Sequence, residues 1–166
     1  MDSASRFLQA LARAKTRATT SGRPIRVRLA REGAEVEMDV SDADRLGLLS
    51  TETRAVRKGG SEESDPAALT RQANEMARRV TYLQEPLAVI EMDGRRGRAV
   101  LRSASPRTEG SSIRYTEAVF ENGRSATVRR YRTERGTRTR RAEPSNLSTE
   151  TAARLAGDLL DIFAQS

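Results

Sequence analysis

Apolar and charged residues alternate in two short runs, 25–29 and 35–40, within one early segment of the chain, residues 24–40. Such alternation over two short runs is typical of a β-hairpin with one buried face. With a two-residue turn in the middle of the segment, Leu29 faces Val36 on the core side and Arg28 faces Glu37 on the solvent side. Because one register satisfies both faces, the pattern predicts the pairing as well as the hairpin.

Apolar residues spaced by three and four positions predict three helices. The first covers about residues 3–18, the second about 66–83 and the third about 148–164. Asp65 is suited to cap the second helix and Pro66 to occupy its first position. The second helix carries a regular apolar seam that can face either a sheet or another helix.

Residues 87–92 are apolar almost without interruption, which is typical of a central strand that is covered on both faces. A turn returns the chain into a second strand at residues 99–101. Glu91 stands out because it lies within the apolar run, where an isolated carboxylate would be a candidate catalytic group. Pairing with Arg98 or Arg102 on the returning strand is the simpler expectation for Glu91.

The dipeptide Asn-Gly at 122–123 favours a type I′ turn between two long strands. With a two-residue loop, Tyr115 and Tyr131 fall on opposite faces of the sheet. A shared aromatic platform for stacking nucleic-acid bases is therefore not expected. A polar last strand is predicted at residues 137–141.

The stretch between the first hairpin and the second helix is the least regular. Residues 42–49 are predicted to hold a short helical turn and residues 50–64 a flexible loop, with a short strand at 54–57 as one option. The complete reading is one α+β domain over residues 1–166. It has an antiparallel sheet of about six or seven strands built from hairpins, with the three helices packed largely on one face.

The chain has no cysteine, histidine or tryptophan. Disulfides, thiolate nucleophiles, histidine bases and the common zinc hydrolase sites are therefore excluded. The sequence contains no phosphate-binding glycine loop and no calcium-binding loop spacing. We therefore expect no catalytic residue, no cofactor and no metal site, and we do not expect an enzyme.

No apolar stretch in the sequence approaches the roughly 20 residues that span a bilayer. The first residues, Met-Asp-Ser-Ala-Ser-Arg, do not form a secretory signal. The expectation is a cytoplasmic protein that has no membrane partner.

The positive charge of the chain is concentrated in residues 124–141, here called the arginine ribbon. This segment holds eight arginines against Glu134 as its single acid, a charge of +7 that equals the net charge of the whole chain. Arginine forks bind phosphate and carboxylate in two-pronged geometry. The candidate polyanion-binding residues are Arg124, Arg129, Arg130, Arg132, Arg138, Arg140 and Arg141.

Two functional hypotheses follow. The first is a non-catalytic protein-interaction or assembly module that binds a protein partner or forms a homodimer, through the apolar seam of the second helix or an uncovered sheet face. The alternative is sequence-nonspecific binding of nucleic acid or another polyanion through the arginine ribbon. A ribbon whose charges protect a sheet edge or pair with nearby carboxylates would explain the same residues without a ligand.

Overall fold

The computed structural model describes residues 2–164, in which three helices and one antiparallel sheet of ten strands are formed. The helices are α1 (Ser3–Ser21), α2 (Pro66–Arg79) and α3 (Thr149–Ala164). The strands are β1 (Ile25–Arg31), β2 (Ala34–Ala43), β3 (Gly47–Arg57), β4 (Leu87–Asp93), β5 (Arg98–Ser103), β6 (Arg107–Glu109), β7 (Ser112–Glu121), β8 (Ser125–Glu134), β9 (Arg140–Glu143) and β10 (Ser145–Ser148).

The main path of the sheet runs in the order β1-β2-β3-β8-β7-β5-β4. All three helices cover the same face, and their apolar stripes meet the inward side chains of the strands in one core. Phe120 of β7 stacks on Phe163 of α3, with ring centroids 6.0 Å apart. The predicted α+β class, with an antiparallel sheet and helices on one face, is confirmed.

The helix ends follow the capping signals in the sequence. The Asp65 carboxylate accepts a hydrogen bond from the Ala68 backbone N–H at 2.9 Å, and the Ser148 hydroxyl accepts one from the Thr151 N–H at 3.0 Å. Both side chains satisfy a backbone donor that has no partner within the helix. Helix α2 ends at Arg79, four residues before the predicted end.

The first hairpin has the predicted register in full. Leu29 pairs with Val36 and Arg28 pairs with Glu37. The next segment differs from the prediction in part. Strands β2 and β3 are joined by a three-residue turn at 44–46, so no helical turn forms at 42–49. The optional strand at 54–57 is present as the end of β3, and only residues 58–64 of the predicted loop are irregular.

Most of strand β3 was missed in the sequence, where only a short strand at 54–57 was given as an option. It pairs with β2 along one edge and with β8 and β10 along the other. Its buried positions include Ser50 and Thr53, so no apolar alternation signals it. Backbone pairing on both sides, together with the helices above, compensates for this polar sequence.

Strand β4 lies at an edge of the sheet, so the prediction of a central strand is wrong. Among the described strands it pairs only with β5, and the pairing is interrupted by a bulge between Val89 and Glu91. Ile90 is 54% exposed and Met92 is 40% exposed. Helix α2 packs near one face of this strand, which leaves its outer edge and the tip of the bulge uncovered.

The hairpin of β7 and β8 is offset by one residue from the predicted pairing, and Tyr115 pairs directly with Tyr131. The left-handed turn at 122–123 is present, but Arg124 adds a third loop residue. The Arg124 carbonyl accepts a hydrogen bond from the Arg57 backbone N–H at 2.8 Å. The Arg124 N–H donates to the Glu121 carbonyl of its own hairpin at 2.9 Å, so Arg124 links the loop to the neighbouring strand β3.

Strands β3 and β8 form a fork. They pair only between positions 53–56 and 125–128 and then separate. Strand β9 continues the sheet beside β8, and β10 continues it beside β3. The polar side chains at the base of this fork form the most buried part of the predicted site.

Candidate functional site

Arg130 is the most deeply buried member of the arginine ribbon, with 5% of its surface exposed. Its terminal nitrogens donate to the Glu85 carboxylate at 3.0 and 3.1 Å, and Nη1 also donates to the Thr116 hydroxyl at 3.2 Å. Glu85 is 6% exposed and accepts a further hydrogen bond from Ser103 at 3.4 Å. A phosphate could reach Arg130 only after this buried ion pair was broken.

Arg124 holds a loop and forms no ion pair with a carboxylate in residues 2–164. Its guanidinium donates to the backbone carbonyls of Ser61 and Gly59, the second at 3.1 Å. These bonds fasten residues 58–64 to the turn between β7 and β8. The side chain therefore has a structural role within the fold.

Arg129 and Arg132 form ion pairs on the surface. Arg129 Nε lies 2.6 Å from the Glu52 carboxylate of β3, and Arg132 Nη2 lies 3.0 Å from Glu134. Both arginine side chains stay about half exposed, so each pair contributes little to stability. The carboxylates nevertheless cancel the two positive charges locally.

Arg140 is held over the aromatic pair that the register shift creates. The rings of Tyr115 and Tyr131 are 5.8 Å apart, and the Arg140 guanidinium lies 3.9 Å from the Tyr131 ring centroid. Arg102 covers the Tyr115 ring at 5.0 Å. The prediction that the two tyrosines lie on opposite faces is wrong, but the platform that they form is already occupied by the chain's own arginines.

A buried carboxylate holds the two covering arginines in place. Glu117 is 3% exposed, and its oxygens accept hydrogen bonds from Arg102 at 2.6 Å and from Arg140 at 2.9 and 3.0 Å. Hydrogen bonds to the Tyr115 hydroxyl and to Glu117 raise the pKa of Arg140, so its guanidinium stays charged. Glu117 is therefore held by two cationic side chains and is almost inaccessible to a ligand.

The remaining predicted site residues are Arg138 and Arg141. Within residues 2–164 neither forms an ion pair, and both are exposed. Arg141 lines a surface groove of about 350 Å³ beside Arg132 and Glu134. Of the seven predicted residues, the described part of the chain therefore leaves these two without a carboxylate or carbonyl partner.

The sheet face opposite the helices is covered with cross-strand ion pairs. Arg26 of β1 lies 2.6 Å from Asp39 of β2, and Arg98 of β5 lies 3.8 Å from Glu91 of β4. The pairs of Arg129 and Arg102 lie on the same face. Positive and negative side chains thus neutralise one another across neighbouring strands. Glu91 is exposed and has the expected arginine partner.

A second basic surface was missed by the sequence analysis. Residues 3–31 contain eight basic side chains and no acid. Arg6, Arg13, Arg17 and Arg23 are exposed, and none of them forms an ion pair in the described chain. We call these four residues the basic edge, because α1 packs on β1 at the free edge of the sheet. The acid-free run could have revealed this surface.

The apolar seam of α2, predicted as one association surface, is buried. Leu69, Ala73 and Met76 are inaccessible and pack in the core. The large exposed apolar side chains of the described chain lie elsewhere, and two of them, Ile90 and Met92, share edge strand β4.

No helix in the described residues is long and apolar enough to cross a membrane. Comparisons of the chain with protein-family models, with curated proteins and with solved structures find no match. A function can therefore be inferred only from the geometry of the chain itself.

Proposed function

We propose that this protein is a non-catalytic assembly module that forms a homodimer through edge strand β4. The observation that carries the proposal is a free sheet edge on which Ile90 and Met92 are exposed. Unpaired edge strands with apolar side chains are templates for strand addition. Strand β4 contains neither lysine nor proline, which commonly block such pairing, and the bulge between Val89 and Glu91 is its one protective feature of this kind in the described chain.

A second copy is the occupant that suits the sequence of β4. Antiparallel pairing centred on Ile90 sets Glu91 of one copy opposite Val89 of the other, and Asp93 opposite Leu87. No two carboxylates face each other in this register. The exposed Ile90 side chains of the two copies meet at the two-fold axis, and Met92 lies opposite Ala88 of the other copy. A symmetric interface of this kind is self-complementary.

The other edge of the sheet disfavours association between copies. Strand β1 carries Arg26, Arg28 and Arg31, and Arg23 precedes it. Two β1 edges would bring like charges together, which is a common protection against edge pairing. Dimer formation at β4 thus leaves β1 at both outer ends of a continuous sheet.

Sedimentation velocity over a concentration series tests the proposal. We expect a dimer with a dissociation constant of about 1–100 µM, a range typical of a small interface. The variant Ile90→Arg should be monomeric, whereas the matched variant Leu46→Arg should dimerise like the original chain. Leu46 is 83% exposed on the turn between β2 and β3 and receives the same charge change.

Two outcomes would overturn the proposal. One is an original chain that stays monomeric above about 100 µM. The other is a dimer that Ile90→Arg and Leu46→Arg affect equally. Circular dichroism of both variants establishes that the substitutions leave the fold intact.

A further inference from the structure

The basic edge consists of arginines that form a row on one side of α1. Arg6, Arg13 and Arg17 lie at positions i, i+7 and i+11, which places them within one narrow stripe at 100° per residue. The stripe is about 16 Å long at 1.5 Å per residue. Lys15 points elsewhere, because its ammonium donates to the Ala43 carbonyl at 3.2 Å.

The row leads into an arginine-lined groove. The last turns of α1 and the free edge of β1 enclose about 450 Å³, lined by Arg17, Arg23, Arg26 and Arg28. Arg26 and Arg28 are paired with carboxylates of β2. Arg17 and Arg23 have no ion-pair partner in residues 2–164 and remain free to bind an anion.

We propose that the basic edge binds the phosphate backbone of duplex nucleic acid without reading its sequence. A row of guanidinium groups over this length suits a linear polyanion better than a single phosphate, which two or three converging groups would hold. Arginine binds phosphate oxygens in two-pronged geometry. This inference is independent of the proposed dimer and differs from binding at the arginine ribbon.

Single strands and membranes fit this surface less well. Binding of single strands commonly uses exposed aromatic rings for stacking, and α1 contains only one aromatic residue, Phe7, which is fully buried. Insertion of a helix into a membrane surface needs a free apolar face. The apolar face of α1, formed by Phe7, Leu11 and Ala14, is already packed in the core.

Fluorescence anisotropy of the full chain with a short labelled duplex, across a salt series, tests the inference. If the four arginines each neutralise one phosphate, the slope of log K against log salt is about −4. The double variant Arg17→Gln/Arg23→Gln should reduce this slope to about −2. The matched variant Arg138→Gln/Arg141→Gln removes the same charge from the ribbon and should leave the slope unchanged.

Each other result overturns the inference. No binding at low salt would show that the basic edge is only a solvated surface. Equal losses in the two double variants would indicate a general charge effect, and a larger loss in Arg138→Gln/Arg141→Gln would place the site in the ribbon. Displacement of the duplex by poly-glutamate at equal charge concentration would identify an acidic protein segment as the ligand. Circular dichroism controls for folding in both variants.

Discussion

The buried ion pair between Arg130 and Glu85 allows a quantitative prediction about stability. The substitution Arg130→Met keeps an unbranched apolar stem and removes the guanidinium. Glu85 then remains 6% exposed with one weak hydrogen bond from Ser103 at 3.4 Å. Leaving one buried charge without its partner costs about 3–5 kcal/mol, which is a large part of the stability of a small domain.

The reverse substitution, Glu85→Met, should cost less. Arg130 would keep the Thr116 hydroxyl at 3.2 Å and the Glu143 carboxylate at 3.7 Å. We expect a loss of about 2–3 kcal/mol, near the value of a hydrogen bond to a charged group. The double variant removes both charges and should lie within about 2 kcal/mol of the original chain, because apolar replacements of buried ion pairs are tolerated.

Urea unfolding followed by far-ultraviolet circular dichroism measures all four free energies of unfolding. The double-mutant cycle should give a coupling energy of at least about 3 kcal/mol between the two side chains. The reasoning is refuted if Arg130→Met costs less than about 1 kcal/mol, or if the double variant loses the sum of the two single losses. The first result would mean that Glu85 reaches water in the native state.

Two further predictions concern the turn at Gly123 and the loss of stability at acid pH. Gly123→Ala should destabilise the fold by about 1–3 kcal/mol more than Gly136→Ala in urea unfolding. Both glycines have positive φ, but only at Gly123 would the new methyl carbon lie 2.6 Å from the Asp65 carbonyl oxygen. Equal losses in the two variants would contradict this. Hydrogen bonds hold the pKa of Asp65, Glu109 and Glu134 below their ordinary values of 3.8 and 4.5. These carboxylates therefore stabilise the fold above about pH 5, and this contribution is lost as the pH falls through their lowered pKa values. An unfolding temperature that stays constant down to about pH 2 would contradict their role.

The sequence was sufficient to predict a strand pairing where one residue pattern defined both the core face and the solvent face of the hairpin. In the hairpin of β1 and β2, the apolar side chains define the core face and the opposite charges define the solvent face. A shift of one residue would have buried Arg26 and exposed Val27. The helix caps were equally readable, because Asp65 and Ser148 act within their own helix.

Other features depended on neighbours distant in the sequence. The dipeptide at 122–123 predicts the turn but not its loop length, which is set by the bond from the Arg57 N–H to the Arg124 carbonyl. That one extra residue brings Tyr115 and Tyr131 together. Strand β3 was hidden for a similar reason, since its pairing partners come from both ends of the chain.

The arginine ribbon shows the limit of counting charges. A net charge of +7 in one segment says nothing about the carboxylates that face it in the fold. Glu52, Glu85 and Glu117 lie outside the ribbon in the sequence and pair with three of its arginines. The four arginines of the basic edge form no ion pair in residues 2–164, and the ion pairs of residues 3–31 there belong to Arg26, Arg28 and Arg31 of β1.

The narrow join between β3 and β8 bears on how the chain folds. The three strands β1, β2 and β3 form one meander, and β4, β5, β7 and β8 form another, so most pairings connect neighbours in the sequence. The two meanders meet at only four residue pairs, and Thr53 is paired with Val128, 75 positions later. Closing so long a segment is entropically unfavourable. The two halves should therefore gain structure early and join late, in a step that depends on the docking of α3 across β2 and β3 at the C-terminal end of the chain.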